Sequence, residues 1–179
     1  IMRDFPEFHY DEMKSRAENV LTSYLQSITR QNPALLSEGT KELKEQLRLR
    51  LEMLQNQSQK ESFENIHIHR TEIHQYRKQR GRQSIVLQTA VEYFHALKEN
   101  GKVIRGSEEH KEQAKYNVEL VYIQDQDMIE NQEDAGLGLN CPNCGAPLPG
   151  LGAKKCIYCD TPIVEYNLRV WNFSRVEEV

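Results

Sequence analysis

The apolar residues of this chain change their spacing once, and that change restricts the fold more than any other feature. Up to residue 57 they recur at intervals of three and four, and from residue 65 they alternate. The first spacing lays an apolar stripe along a helix, and the second sends successive side chains to opposite faces of a strand. Met13, Ala17, Val20, Leu21, Tyr24, Leu25 and Ile28 predict a first helix. Asp11 and Glu12 sit in its first turn, where the helix dipole favours acids, and Asn32-Pro33 ends it. A short turn then leads to a second helix over residues 40–57, with Leu43, Leu47, Leu51 and Leu54 as its inner stripe. Leu49 and Met53 widen that stripe, which reads first as core packing and second as the wall of a groove or partner site.

The alternating half predicts long strands. Residues 65–77 alternate around Ile66, Ile68 and the pair His67 and His69. Residues 83–98 place Ile85, Leu87, Thr89, Val91, Tyr93 and His95 on one face, and Val86, Ala90 and Phe94 on the other. Apolar residues on both faces imply cover on both. Asn100-Gly101 is a two-residue hairpin signal, with Val103 and Ile104 beginning the return. Residues 114–124 set Tyr116, Val118, Leu120 and Tyr122 against Val121 and Ile123. Two helices followed by a strand meander is an α+β arrangement. Arg77, Lys78, Arg80 and Arg82 flank Gly81 and read as a solvated hairpin turn, with an anionic partner as the alternative. Asp125, Asp127, Glu130, Glu133 and Asp134 precede a Gly-Leu-Gly-Leu stretch, so residues 125–140 read as a linker.

All four cysteines follow that linker, as Cys141-Pro-Asn-Cys144 and Cys156-Ile-Tyr-Cys159. Two C-x2-C knuckles at this separation match a zinc ribbon over residues 141–162. Two residues between ligands let the chain turn tightly enough for both sulfurs to reach one metal, and N–H groups of the knuckle can spread the sulfur charge. Two disulfides are the rival, but the rest of the chain has no cysteine to staple. Four thiolates leave a tetrahedral Zn2+ without an open position, so the expected zinc is structural. It would contribute on the order of 10 kcal/mol to folding a region with almost no core. Zinc thiolates also imply a reducing compartment, hence the cytoplasmic side of any membrane. Residues 163–179 follow as a last strand segment that could rejoin the main sheet: Val164, Tyr166, Leu168 and Val170 share one phase, while Trp171 and Phe173 share the other.

Other chemistry is thin. His67 and His69 share a strand face, but His74 has the opposite parity and no third ligand is evident. His95 could act as an acid or base if its face lines a cavity, although a lone histidine among apolar neighbours is more often a satisfied core residue. Ser84, His110 and Asp125 have no triad spacing, and there is no Gly-rich phosphate loop. The formal net charge is −4, opposite in sign to that of a general nucleic-acid binder. Near the knuckles only Lys154 and Lys155 are basic, so no nucleic-acid partner is expected.

The element order is familiar at this point. A helix after Phe8, a helical pair, long strands, the run Gly101-Lys-Val-Ile-Arg-Gly-Ser107, the strand Lys115-Tyr-Asn-Val-Glu-Leu-Val-Tyr122 and a zinc ribbon follow one another. Together they resemble bacterial proteins similar to the C-terminal domain of the mitochondrial inner-membrane translocase subunit Tim-forty-four. The resemblance implies a cone-shaped fold like nuclear transport factor two, with N-terminal helices on a curved antiparallel sheet that encloses a pocket. It implies a membrane-proximal domain over residues 1–124 that binds a protein or lipid partner without catalysis. The chain opens on Ile1, so an upstream membrane segment is expected to hold it at the cytoplasmic face. A pocket faced by Tyr93, His95, Tyr116 and Tyr122 is expected. The alternative is a small-ligand receptor or enzyme using that same pocket.

Overall fold

The computed structural model describes residues 9–79, 82–123, 159 and 171–179. The expected linker 125–140, the ribbon apart from Cys159, and residues 163–170 of the last strand lie outside the described residues. Cys159 itself is exposed.

Among the described residues two α-helices precede a five-stranded antiparallel sheet, which makes the class α+β. Helix α1 (Tyr10–Arg30) carries Asp11 and Glu12 in its first turn and buries Met13, Ala17, Val20, Leu21, Tyr24, Leu25 and Ile28. It ends at Gln31, whose left-handed backbone (φ 54°) turns the chain toward a 3-10 turn, Pro33–Leu35. Helix α2 (Lys41–Asn56) starts at Thr40, whose hydroxyl accepts the Leu43 N–H at 3.2 Å. Leu43, Leu47 and Leu54 are buried on α2, but Leu51 is only half-buried, so the inner stripe is narrower than its leucine spacing predicts.

The strands are β1 (Gln59–Gln79), β2 (Arg82–Glu99), β3 (Lys102–Gly106), β4 (Glu112–Ile123) and β5 (Trp171–Glu178). The sheet order is β1-β2-β4-β5, with β3 also paired to β2. β1 starts six residues before the alternation predicts. Glu61 and Phe63 are buried in that early stretch. Asn65 then takes a left-handed backbone (φ 52°), and the inward phase passes to Ile66 and Ile68. Between β2 and β3, Asn100 (φ 52°) and Gly101 (φ 83°) form the expected two-residue turn, with Glu99 opposite Lys102.

All of Ile85, Leu87, Thr89, Val91, Tyr93 and His95 are buried. The opposite face of β2 corrects the expectation of cover on both sides, because Val86, Ala90 and Phe94 are only half-buried. An antiparallel sheet can leave one face partly wet. Phe94 there meets the Lys111 ammonium at 5.7 Å.

Contacts divide the chain into two compact units. The first comprises Ile1–Tyr76, Ile85–Leu120 and Phe173–Val179, and the second Arg77–Ser84 and Val121–Asn172. In the first unit β5 anchors both the start and the middle of α2. The Phe173 carbonyl accepts the Thr40 N–H at 2.8 Å, and the Gln46 amide donates to the Val176 carbonyl at 2.5 Å. In the second unit the Tyr122 and Trp171 rings pack 5.1 Å apart. Among the described residues no helix is long and apolar enough to cross a membrane.

Candidate functional site

The first unit carries an open pocket of about 390 Å3. Its apolar lining is Leu25 and Ile28 from α1, Leu49 and Met53 from α2, Phe63 from β1 and Val176 from β5. Tyr24, Gln46, Arg50, Glu61, Tyr116 and Glu178 supply the polar atoms. Leu49 and Met53 are 52% and 40% exposed, on a helix that buries Leu43, Leu47 and Leu54. The helical spacing puts both on the flank of the leucine stripe, so α2 presents them beside the core rather than into it.

Two of the lining residues, Arg50 and Glu61, belong to an ionic group in which Glu61 and His95 are buried while Arg50 and Glu112 are partly exposed. Arg50 donates to Glu61 Oε1 from Nη2 at 2.5 Å and from Nε at 3.2 Å. The other carboxylate oxygen accepts from His95 Nε2 at 2.7 Å. His95 Nδ1 faces Glu112 Oε1 at 3.1 Å, so both ring nitrogens meet carboxylate oxygens. The Phe63 ring stacks on the imidazole at 4.8 Å. Burial alone would raise the Glu61 carboxyl, but the bonds from His95 and Arg50 and the arginine charge hold it below the usual carboxylate range.

A second group is made of hydroxyls. Tyr93 and Tyr116 share a hydrogen bond of 2.8 Å, and the Gln46 amide donates to the Tyr24 hydroxyl at 3.0 Å. Burial pushes the Tyr93 phenol up to about 12 and raises those of Tyr24 and Tyr116 as well. All three therefore keep their protons at neutral pH and act as neutral hydrogen-bonding groups.

Of the four residues expected to face a pocket, Tyr116 lines this one. Tyr93 and His95 lie behind it, bonded to Tyr116 and Glu61. Tyr122 lies in the second unit against Trp171. Arg50 and Glu61 were not legible as site residues in the sequence. Glu61 falls between the expected second helix and the expected first strand, and its one signal is its two-residue spacing from Phe63.

His67 and His69 are exposed with rings 4.9 Å apart, and His69 Nε2 lies 3.4 Å from Glu92. Among the described residues no group of three or more His, Cys, Asp or Glu side chains is arranged to hold a metal. Three of the four expected zinc ligands, Cys141, Cys144 and Cys156, lie outside those residues. No protein-family model matches the sequence, and no curated protein matches it.

Proposed function

We propose that this chain is a zinc-containing binding or scaffold domain that acts close to a membrane and takes a protein or lipid partner, without catalysis. The observation that carries this reading is the pocket, with Leu49 and Met53 held exposed at its wall and an apolar floor between them and the sheet. Its acid and base are already engaged. Glu61 is held by Arg50 and His95, and His95 by Glu61 and Glu112, so neither reaches into the pocket as a free proton-transfer group. A pocket of this size with an apolar wall and few polar groups suits binding.

Helices followed by an antiparallel sheet with a pocket between them agree with the cone-shaped arrangement of the Tim-forty-four-like domains, and the element order supports placing the chain with them. The donor set Cys141, Cys144, Cys156 and Cys159 has the chemistry of a structural Zn2+ site on the ribbon, with thiolate ligands only. In this reading the cytoplasmic face of a membrane is the place of action. A small-ligand receptor is the second reading, favoured by the pocket volume, which falls in the range of small-molecule sites.

The test is an amide-resolved NMR titration of the isotopically labelled chain with anionic phospholipid vesicles and, separately, with a soluble lysophospholipid. Amides of Leu25, Ile28, Leu49 and Met53 should shift together in both. The variant Met53→Glu should weaken the response by about tenfold, since it puts a charge on the apolar wall. A response spread over the surface, or unchanged by Met53→Glu in the folded variant, contradicts the pocket as the binding site.

A further inference from the structure

We propose that the pocket walled by Leu49 and Met53 selects an amphiphile whose polar end is an ammonium group, and that Glu178 sets its preference for positive charge; this rests on the pocket being where the partner binds. Among the described residues three charged side chains line the pocket: Arg50, Glu61 and Glu178. Arg50 directs Nε and Nη2 to Glu61 Oε1, and His95 takes the second Glu61 oxygen, so those charges are answered. Glu178 is different. Among the described residues neither an ion pair nor a hydrogen bond holds its carboxylate. The next acid on the strand, Glu177, meets Arg175 at 3.5 Å.

The strand holds this charge in place. Val176 and Glu178 are two residues apart on β5, so they share a face, and both line the pocket. The backbone is tied on either side of Glu178. The Val176 carbonyl accepts from the Gln46 amide, and the Val179 N–H donates to the Lys115 carbonyl at 2.8 Å. Nearby phenols register the resulting field. Burial is the main cause that raises the Tyr116 phenol, the bond to Tyr93 adds to it, and the negative charges of Glu178 and Glu61 raise it further. The Tyr24 phenol is also raised by burial, but there the Gln46 bond and the Arg50 charge pull the other way. The negative end of the pocket is therefore the one beside Tyr116 and Glu178.

Charge and surface together define the ligand. A cation at the Tyr116 end gains from the Glu178 carboxylate, and phenol oxygens have lone pairs that accept its N–H groups. Aromatic rings favour positive charge as well, since their faces are electron-rich. Leu49 and Met53, 52% and 40% exposed, then need an aliphatic chain to cover them, which a hydrated inorganic cation lacks. An anionic amphiphile covers the same wall but sets its charge against Glu178. The required group is an ammonium on an aliphatic body, present in a free alkylamine and in a phospholipid with an amino headgroup. Glu178 is itself exposed, so water screens part of its effect.

The experiment is an amide-resolved NMR titration of the labelled full chain near neutral pH with octylammonium, octanol and octanoate, each below its micelle concentration. Amides of Leu49, Met53 and Val176 should shift with octylammonium and octanol, and octylammonium should bind about tenfold tighter than octanoate. Glu178→Gln should cut that preference by about fivefold and leave octanol unchanged, and Glu178→Lys should reverse it. Far-UV circular dichroism checks that both variants fold. A second arm compares lysophosphatidylethanolamine with lysophosphatidylglycerol of the same chain length. A tighter response to the former assigns the ammonium to a lipid headgroup, and equal responses beside an intact octylammonium preference assign it to a free amine. Octanoate binding as tightly as octylammonium, or a preference that survives Glu178→Gln, overturns the proposal while octanol shifts at the same amides keep the pocket as a binding site. No shift at those amides with any of the three probes overturns both.

Discussion

Glu61 shows how much one residue can carry in this fold. It is 6% exposed, lies near the start of β1, and joins α2 to β2 through Arg50 and His95. A buried carboxylate is tolerated only where its charge is answered, and here both oxygens are engaged. Replacing Glu61 with Gln removes the negative partner of Arg50 and the carboxylate partner of His95, and urea denaturation near neutral pH should show a loss of about 2 kcal/mol. The sign of the pH dependence follows from the lowered carboxyl pKa. A group whose folded pKa is depressed stabilises the fold above its unfolded value, about 4.3, and loses that contribution as pH falls through the folded value. The gap between wild type and Glu61→Gln should therefore be present at pH 5 and narrow toward pH 2. A gap that widens in acid contradicts the assignment. The sequence could mark His95 as a residue to watch, because it falls in phase with Tyr93 and Val91. It could not mark Glu61 or Arg50, whose partners are 34 and 11 residues away in the chain.

Among the elements, the β2–β3 hairpin separates local from tertiary information. Its turn was legible, since Asn100-Gly101 supplies the two positive φ angles that a two-residue loop needs. Gly106 was not, although it does more. It has φ 78°, and a Cβ placed on it would lie 2.0 Å from the His95 carbonyl oxygen. Gly101 has φ 83° with open space around the same position. Gly101→Ala should therefore cost only the left-handed backbone penalty, about 1–2 kcal/mol. Gly106→Ala should cost that plus a steric overlap with backbone of about 1–3 kcal/mol more. Thermal unfolding of the two variants checks the order, and equal effects would show that the close approach at His95 relaxes freely. Helix α2 gives a smaller test. Thr40→Ala removes the acceptor of the Leu43 N–H and should cost about 1 kcal/mol, read as a lower denaturation midpoint at unchanged slope.

For the whole molecule, the question is whether the cysteine-bearing segment folds around a metal while the helices and sheet hold by themselves. Helices α1 and α2 bury their stripes within the first unit. If the four thiols hold Zn2+, elemental analysis of the freshly purified chain should find a stoichiometric amount. Cys144→Ser should bring it well below that, and chelation should leave the helical circular dichroism of α1 and α2 largely unchanged. Metal-free protein with sulfur–sulfur bonds among those cysteines would replace the zinc site with disulfides.

The amino-acid sequence by itself determined the elements whose signal is local: both helices, the long second strand and its inward face, the hairpin turn, and the α+β class. Each depends on spacing within a few residues, which side-chain geometry reads directly. Tertiary structure alone decided that β1 begins at Gln59, that Leu49 and Met53 stay exposed at a pocket wall, and that Tyr116 faces that pocket while Tyr93 and His95 lie behind it. Those outcomes depend on which helix packs beside which strand. That choice is settled by burying apolar area and answering buried charges across distances along the chain that no local pattern encodes.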